Sequence, residues 1–172
     1  MCNLLGMSEA NILKKRLVQP GQTIDVKAAF PLVRDMPYQR ASSRAPKPTV
    51  QGWRGTCSGN HYLLDYIFQE EGMESKVLVC SHSFTEDTTA NYPPELREVV
   101  ARGPAPNVHT NIRRKTAPSC STVDATWPNK AVSLRVTVNS HFQPGEDTAL
   151  ACNIIETCQV LEGRALRTSK KG

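Results

Sequence analysis

The chain has 172 residues, a net charge of +5, a sequence pI near 9.0, and 39% hydrophobic and 6% aromatic residues. That length suits one ordinary domain, 1–172, and is short for two. No apolar run approaches the roughly 18 residues that a membrane span requires, which excludes a membrane partner of that kind, and no internal repeat or low-complexity block is present.

The opening stretch MCNLLGMSEANILKK places its lysines after its apolar residues, the reverse of a secretory signal. A soluble cytoplasmic protein is therefore expected. The six cysteines (2, 57, 80, 120, 152 and 158) form no CxxC pair and no disulfide-like spacing, so reduced thiols are expected. The basic residues are scattered except at Arg113-Arg114-Lys115 and in the tail Ser169-Lys170-Lys171. No aromatic residues interleave with them as a stacking platform would require, which argues against a nucleic-acid partner.

In chain order, residues 8–18 suit a short helix stopped by Pro20-Gly21. Thr23 or Asp25 can cap a second helix through AAFPLVRDM, with a kink or late start at Pro31. The stretch 38–51, rich in Pro, Ser and Arg, reads as a loop. From Cys57 a helix is well signalled: Thr56 or Ser58 can cap it, Leu63, Leu64, Ile67 and Phe68 form an apolar stripe, and Gly72 ends it. Lys76–Cys80 reads as a buried strand. Residues 83–107 form a long connection with a short helix after Pro93-Pro94.

Three strands are then predicted. In the first, Val108, Thr110 and Ile112 alternate with His109, Asn111 and Arg113; the second is 121–125 and the third 131–138. Asp147 can cap a last helix whose apolar positions Leu150, Ile154, Ile155, Cys158 and Leu161 recur helically up to Gly163. The order implies an α+β domain with an antiparallel sheet packed on helices.

Chemistry concentrates at QGWRGTCSGNH, residues 51–61. A thiol at a helix N-terminus is acidified by the unpaired N–H groups and the macrodipole. The same N–H groups can receive the negative oxygen of a tetrahedral intermediate. Gly52, Gly55 and Gly59 allow close approach of backbone and substrate. A nucleophilic cysteine needs a base and an orienter for that base. His109 lies on a strand after the long loop, and Asp124 follows fifteen positions later, a separation that neighbouring antiparallel strands can close. The bland alternatives are a strand histidine bonded to backbone and an aspartate capping a turn.

The pieces VRDMPY (33–38), GTCSGNHYLLDYIFQEEGMESKVLV (55–79), NVHTNIR (107–113) and VDATWP (123–128) together resemble the transglutaminase-like superfamily, papain-fold cysteine enzymes with the chain order Cys, His, Asp. The resemblance implies a central helix carrying the Cys at its N-terminus, packed on an antiparallel sheet carrying His and Asp. It implies Cys57 as nucleophile, His109 as general base and acid, and Asp124 as orienter. Gln51, six residues before Cys57, matches the position of a papain-type oxyanion-hole glutamine, with the Cys57 N–H as the second donor. Trp53, Gly55, Ser58 and Trp127 are placed to line a substrate cleft, with plain core packing as the equal alternative for the two tryptophans. Ser58 stands where many transglutaminases have tryptophan, and the chain is too short for the accessory domains of the animal enzymes, which points away from calcium-dependent cross-linking.

His61, four positions after Cys57, shares its helix face and reads as a surface histidine. Cys80 and His82 lack paired ligands at zinc-like spacing, and no phosphate loop, dinucleotide fingerprint or flavin motif is present, so no metal or cofactor is expected. The reading is a cysteine-dependent hydrolase or acyltransferase acting on a peptide, protein or small amide or acyl substrate. Its alternative is a catalytically silent binding module of the same fold.

Overall fold

The computed structural model describes residues 25–116 and 119–159. The elements are α1 (Val26–Arg34), α2 (Pro46–Gly52), α3 (Cys57–Glu70), β1 (Ser75–Phe84), a 3-10 turn (Asp87–Thr89), α4 (Pro94–Val100), β2 (Ala105–Thr116), β3 (Ser119–Val123), a second 3-10 turn (Asn129–Leu134) and β4 (Glu156–Gln159). The four strands form one antiparallel sheet in the order β3-β2-β1-β4. The α+β architecture expected from the element order is therefore what the chain adopts. The helix expected over 8–18 lies outside the described residues, and no helix among those described is long and apolar enough to cross a membrane.

Asp25 caps α1 by accepting the Ala28 N–H at 2.8 Å. Pro31 sits inside this helix, where the missing N–H costs only the partner of the exposed Lys27 carbonyl. In α3 the predicted stripe is buried: Leu63, Leu64, Ile67 and Phe68 pack with Phe30, Val33, Met36, Val77, Ile112 and Val123. Phe142 closes this core, its ring 5.8 Å from that of Phe30 and 5.4 Å from that of Phe68. Gly72, at φ 74°, lets α3 end in a left-handed turn in which Gly72 and Met73 donate back to Gln69 and Phe68.

Three expectations are corrected. The proline-rich loop of 38–51 contains α2, because Pro46 at its first position has the φ a helix start needs and no N–H to leave unpaired. The predicted strand 131–138 is a 3-10 turn ended by Arg135 at φ 59°, and left-handed backbone there breaks an extended run. Val132 and Leu134 are exposed, so their alternation marked no buried face. The predicted helix from Asp147 is irregular chain followed by β4, which pairs with Leu78–Ser81 of β1. Asp147 accepts the Thr122 N–H at 2.6 Å instead of capping a helix, and Thr148 donates to the Thr122 carbonyl at 2.9 Å. The segment thus covers the outer edge of β3. Leu161 and Gly163 lie outside the described residues.

Candidate active site

Cys57 is the first residue of α3, where the helix dipole favours a thiolate. The turn ahead of it is stitched to the segment after α1: Gly55 donates to the Pro37 carbonyl at 3.2 Å, and Gln39 donates to the Gly55 carbonyl at 3.1 Å. A side chain at Gly55 has no room, since a Cβ there would collide with Asn60 Oδ1. Gly55→Ala is expected to destabilise the protein by about 2 kcal/mol through overpacking. A chemical denaturation midpoint indistinguishable from that of the unmodified protein would refute the close packing.

Asp124 follows β3 directly and is 1% exposed. Its Oδ2 accepts from His109 Nε2 at 2.9 Å and from the Ala151 N–H at 2.8 Å, and its Oδ1 accepts from the Thr126 N–H at 2.9 Å. Asn139 donates to its carbonyl and Thr148 Oγ1 accepts its N–H. The next residue is clamped by α3, because Asn60 Nδ2 donates to the Ala125 carbonyl and the Ala125 N–H donates to His61 Nε2 at 2.8 Å. Arg34 fixes the chain on the far side, donating to Asp35 and to the carbonyls of Asn139 and Ser140.

The sheet register explains how His109 meets both partners. β3 stops at Val123, opposite Ile112, so the edge of β2 from 105 to 111 has no strand beside it. His109 and Thr110 lie in this unpaired stretch, where His109 meets Asp124 just past the end of β3 and Thr110 meets His61 of α3. His109 through Ile112 are all buried, whereas Val108, further along, is 59% exposed, so the expected common face of Val108, Thr110 and Ile112 does not extend to Val108.

Electrostatics follow from these contacts. Burial pushes the Cys57 thiol up, but hydrogen bonds with His109, Thr110 and Ser58 and the His109 charge reverse this, and its pKa lies below the ordinary thiol value. Burial pulls the His109 imidazole down, and hydrogen bonds and charges from Asp124 and Cys57 outweigh it, raising the pKa to about 9. Burial also pushes the Asp124 carboxyl up, yet the neighbouring His109 and His61 rings together outweigh it and hold it far below the usual carboxylate range. The arrangement brings a thiol, an imidazole and a carboxylate together, with Nε2 of His109 bonded to Asp124 and its other nitrogen not engaged by the carboxylate.

Sequence reasoning overlooked Tyr38 and Thr110 and misplaced His61. Tyr38 stacks on Trp127 at 4.9 Å, and its phenol lies near enough to Cys57 for the two groups to influence each other's ionisation. Burial and the neighbouring Cys57 raise that phenol to about 12, so it stays protonated. The signal was the motif VRDMPY itself, whose Tyr ends a segment tied to Gly55. His61 is fully buried, not on the helix surface. Of the remaining expected residues, Ser58 lies beside the thiol at 3.9 Å, Trp127 walls the site with Tyr38, and Trp53 packs on the core at φ 46°. Gln51 is exposed on α2, and no hydrogen bond among the described residues ties it to the site. Among those residues, no group of three or more His, Cys, Asp or Glu side chains is placed to hold a metal ion.

In comparisons with known proteins, no family model, no curated protein and no solved structure matches this chain.

Proposed function

We propose that the protein is a cysteine-dependent acyl-transfer enzyme of transglutaminase-like type, with Cys57 as nucleophile, His109 as general acid and base, and Asp124 as orienter. The observation that carries the reading is the buried His109–Asp124 bond of 2.9 Å, with the Cys57 thiol near enough to the same imidazole for each to shift the other's ionisation. In this mechanism the Cys57 thiolate attacks an amide, ester or thioester carbonyl. His109 then protonates the leaving group, and an acyl-thioester remains on Cys57. With its proton gone, His109 activates water for hydrolysis or an amine for transfer.

The oxyanion is received by the Cys57 N–H and the Tyr38 hydroxyl, which neighbours Cys57 and stays protonated. Gln51 is left out of this assignment. Substrate choice falls to the connection between β1 and β2, as its residues Thr88, Asn91 and Tyr92 line a cavity of about 170 Å³ together with Arg135, Ala151 and Cys152. That cavity adjoins the triad: Ala151 donates to Asp124, and the His82 ring on its wall lies 6.2 Å from the His109 ring.

The test is acylation by the activated ester p-nitrophenyl acetate, read as a burst of nitrophenolate and as an acetyl group located by peptide mass spectrometry. Acetylation at Cys57 that disappears in Cys57→Ser supports the reading. Acetylation spread evenly over the cysteines overturns it and leaves a binding role for the fold. Tyr38→Phe is expected to slow the burst by about 10²-fold, the usual effect of losing one oxyanion donor, without changing which residue is acetylated.

A further inference from the structure

The cavity beside the triad continues into a second one. The first, about 170 Å³, is bounded by His82, Asn91, Tyr92, Arg135, Ala151 and Asn153, among others. The second, about 350 Å³, shares Asn91, Tyr92 and Arg135 with it and reaches Arg97 of α4. Together they make one groove that runs from His82, whose ring lies 6.2 Å from that of His109, to two arginines. Among the described residues, neither the Arg97 nor the Arg135 guanidinium has a hydrogen bond or an ion pair. No aspartate or glutamate lines either cavity. At the inner end His82 is 6% exposed, and its ring, edge-on to Phe84 at 4.8 Å, has no hydrogen-bond partner among the described residues. Burial and the His109 charge lower its pKa, so the ring is neutral, with one nitrogen to donate and one to accept. A buried polar ring costs free energy unless it is bonded, so His82 on a cavity wall is suited to bond a ligand there.

We infer that this groove is the acyl-donor site and takes an acyl group carrying a carboxylate, which Arg97 and Arg135 bind while the reacting carbonyl lies at Cys57. The inference rests on Cys57 being the nucleophile of an acyl-transfer reaction. Two guanidinium groups without counter-charges at one end of a groove attract an anion, and each can hold a carboxylate through two parallel N–H donors. Phosphate sites are built differently, from glycine-rich turns or free N–H groups at a helix start. Neither cavity is lined by glycine, and α4 opens on Pro93-Pro94, which have no N–H. Asn91, Tyr92 and Asn153 supply neutral donors and acceptors between the two ends. The left-handed backbone of Arg135, at φ 59°, ends the second 3-10 turn at the point where the residue lines both cavities. Both arginines are exposed, so their hold on an anion is weakened by salt.

The experiment compares the p-nitrophenyl half-esters of adipic, pimelic and suberic acids with the same compounds capped as methyl esters at the free carboxylate. Nitrophenolate release and the acyl group on Cys57, located by peptide mass spectrometry, are the readouts, each rate divided by that of the ester without protein. At low salt at least one half-ester is expected to acylate Cys57 about tenfold faster than its capped partner, and the preference should shrink as salt is raised. In Arg97→Gln/Arg135→Gln the preference is expected to disappear. Lys76→Gln/Arg113→Gln removes the same charge from an exposed cross-strand pair toward the other end of β1 and is expected to keep it. Equal rates for capped and uncapped esters at every length overturn the inference alone. So does a preference that survives the double arginine variant, or one lost equally in the Lys76 and Arg113 control. If no ester acylates Cys57, the acyl-transfer reading falls and this inference with it. Should the double variant fail to fold, Arg135→Gln alone must lower the preference, and an unchanged ratio overturns the inference.

Discussion

Cys57 is expected to be alkylated by iodoacetamide about tenfold faster near pH 6.5 than Cys120, which is exposed in the same chain, and to lose that advantage in His109→Ala. The free thiol titrates near 8.5, so an ordinary cysteine is about 1% thiolate two units lower. The Cys57 thiol is held below its ordinary value chiefly against its own burial, by the His109 bond and charge and by Thr110 and Ser58. Removing the imidazole leaves the burial cost and takes away the strongest opposing contact, so the thiol should then titrate at or above the ordinary value. Under the proposed mechanism the acylation rate should rise with formation of the thiolate and fall as His109 loses its proton near pH 9, because the leaving group then has no acid. Because the two groups interact, the two midpoints belong to the pair. A Cys57 that alkylates no faster than Cys120 throughout would remove the thiolate–imidazolium pair from the mechanism.

Asp124→Asn is expected to reduce acyl transfer by about 10³–10⁴-fold and to destabilise the fold by about 3–5 kcal/mol, lowering the melting temperature by roughly 6–20 °C. The carboxylate accepts from His109, Ala151 and Thr126 in a site that is 1% exposed. An amide turns one acceptor oxygen into a donor facing those N–H groups and leaves His109 without the anion that sets its tautomer. The pH dependence has a definite sign. The Asp124 carboxyl is depressed, so its contribution is complete above the free carboxylate pKa of about 3.9 and is lost as pH falls through the native value. The His109 imidazole is raised, so its contribution is complete below the free value of about 6.5 and is lost as pH rises through about 9. The stability gap between wild type and Asp124→Asn should thus be widest between about pH 4 and 6.5. A gap that is flat from pH 4 to 10 would show that the variant acts through packing alone.

The sequence by itself determined the elements whose signals are local. The Asp25 cap, the apolar stripe from Leu63 to Phe68 and the left-handed stop at Gly72 are set by neighbours within one or two turns, and the structure has all three. Cys57 at a helix start, with His109 on a strand and Asp124 at the end of the next, was legible for the same reason, since each position follows from its own segment.

Tertiary structure decided the rest. The run 131–138 alternates as a strand would, but the neighbouring segment 139–140 is taken by Arg34 and Arg135 turns left-handed, so no partner strand forms. The stretch from Asp147 has helical spacing, yet the open edges of β3 and β1 offered hydrogen bonds that a local helix could not match. His61 at position four from Cys57 is compatible with water or with a core, and only the packing of α3 against Thr110 and Ala125 chose the core. Tyr38 reaches Cys57 across nineteen positions through the Pro37–Gly55 pairing, a contact that no periodicity encodes. Side chains whose partners lie far along the chain acquire their roles only when the sheet register and the helix orientation bring those partners within bonding distance.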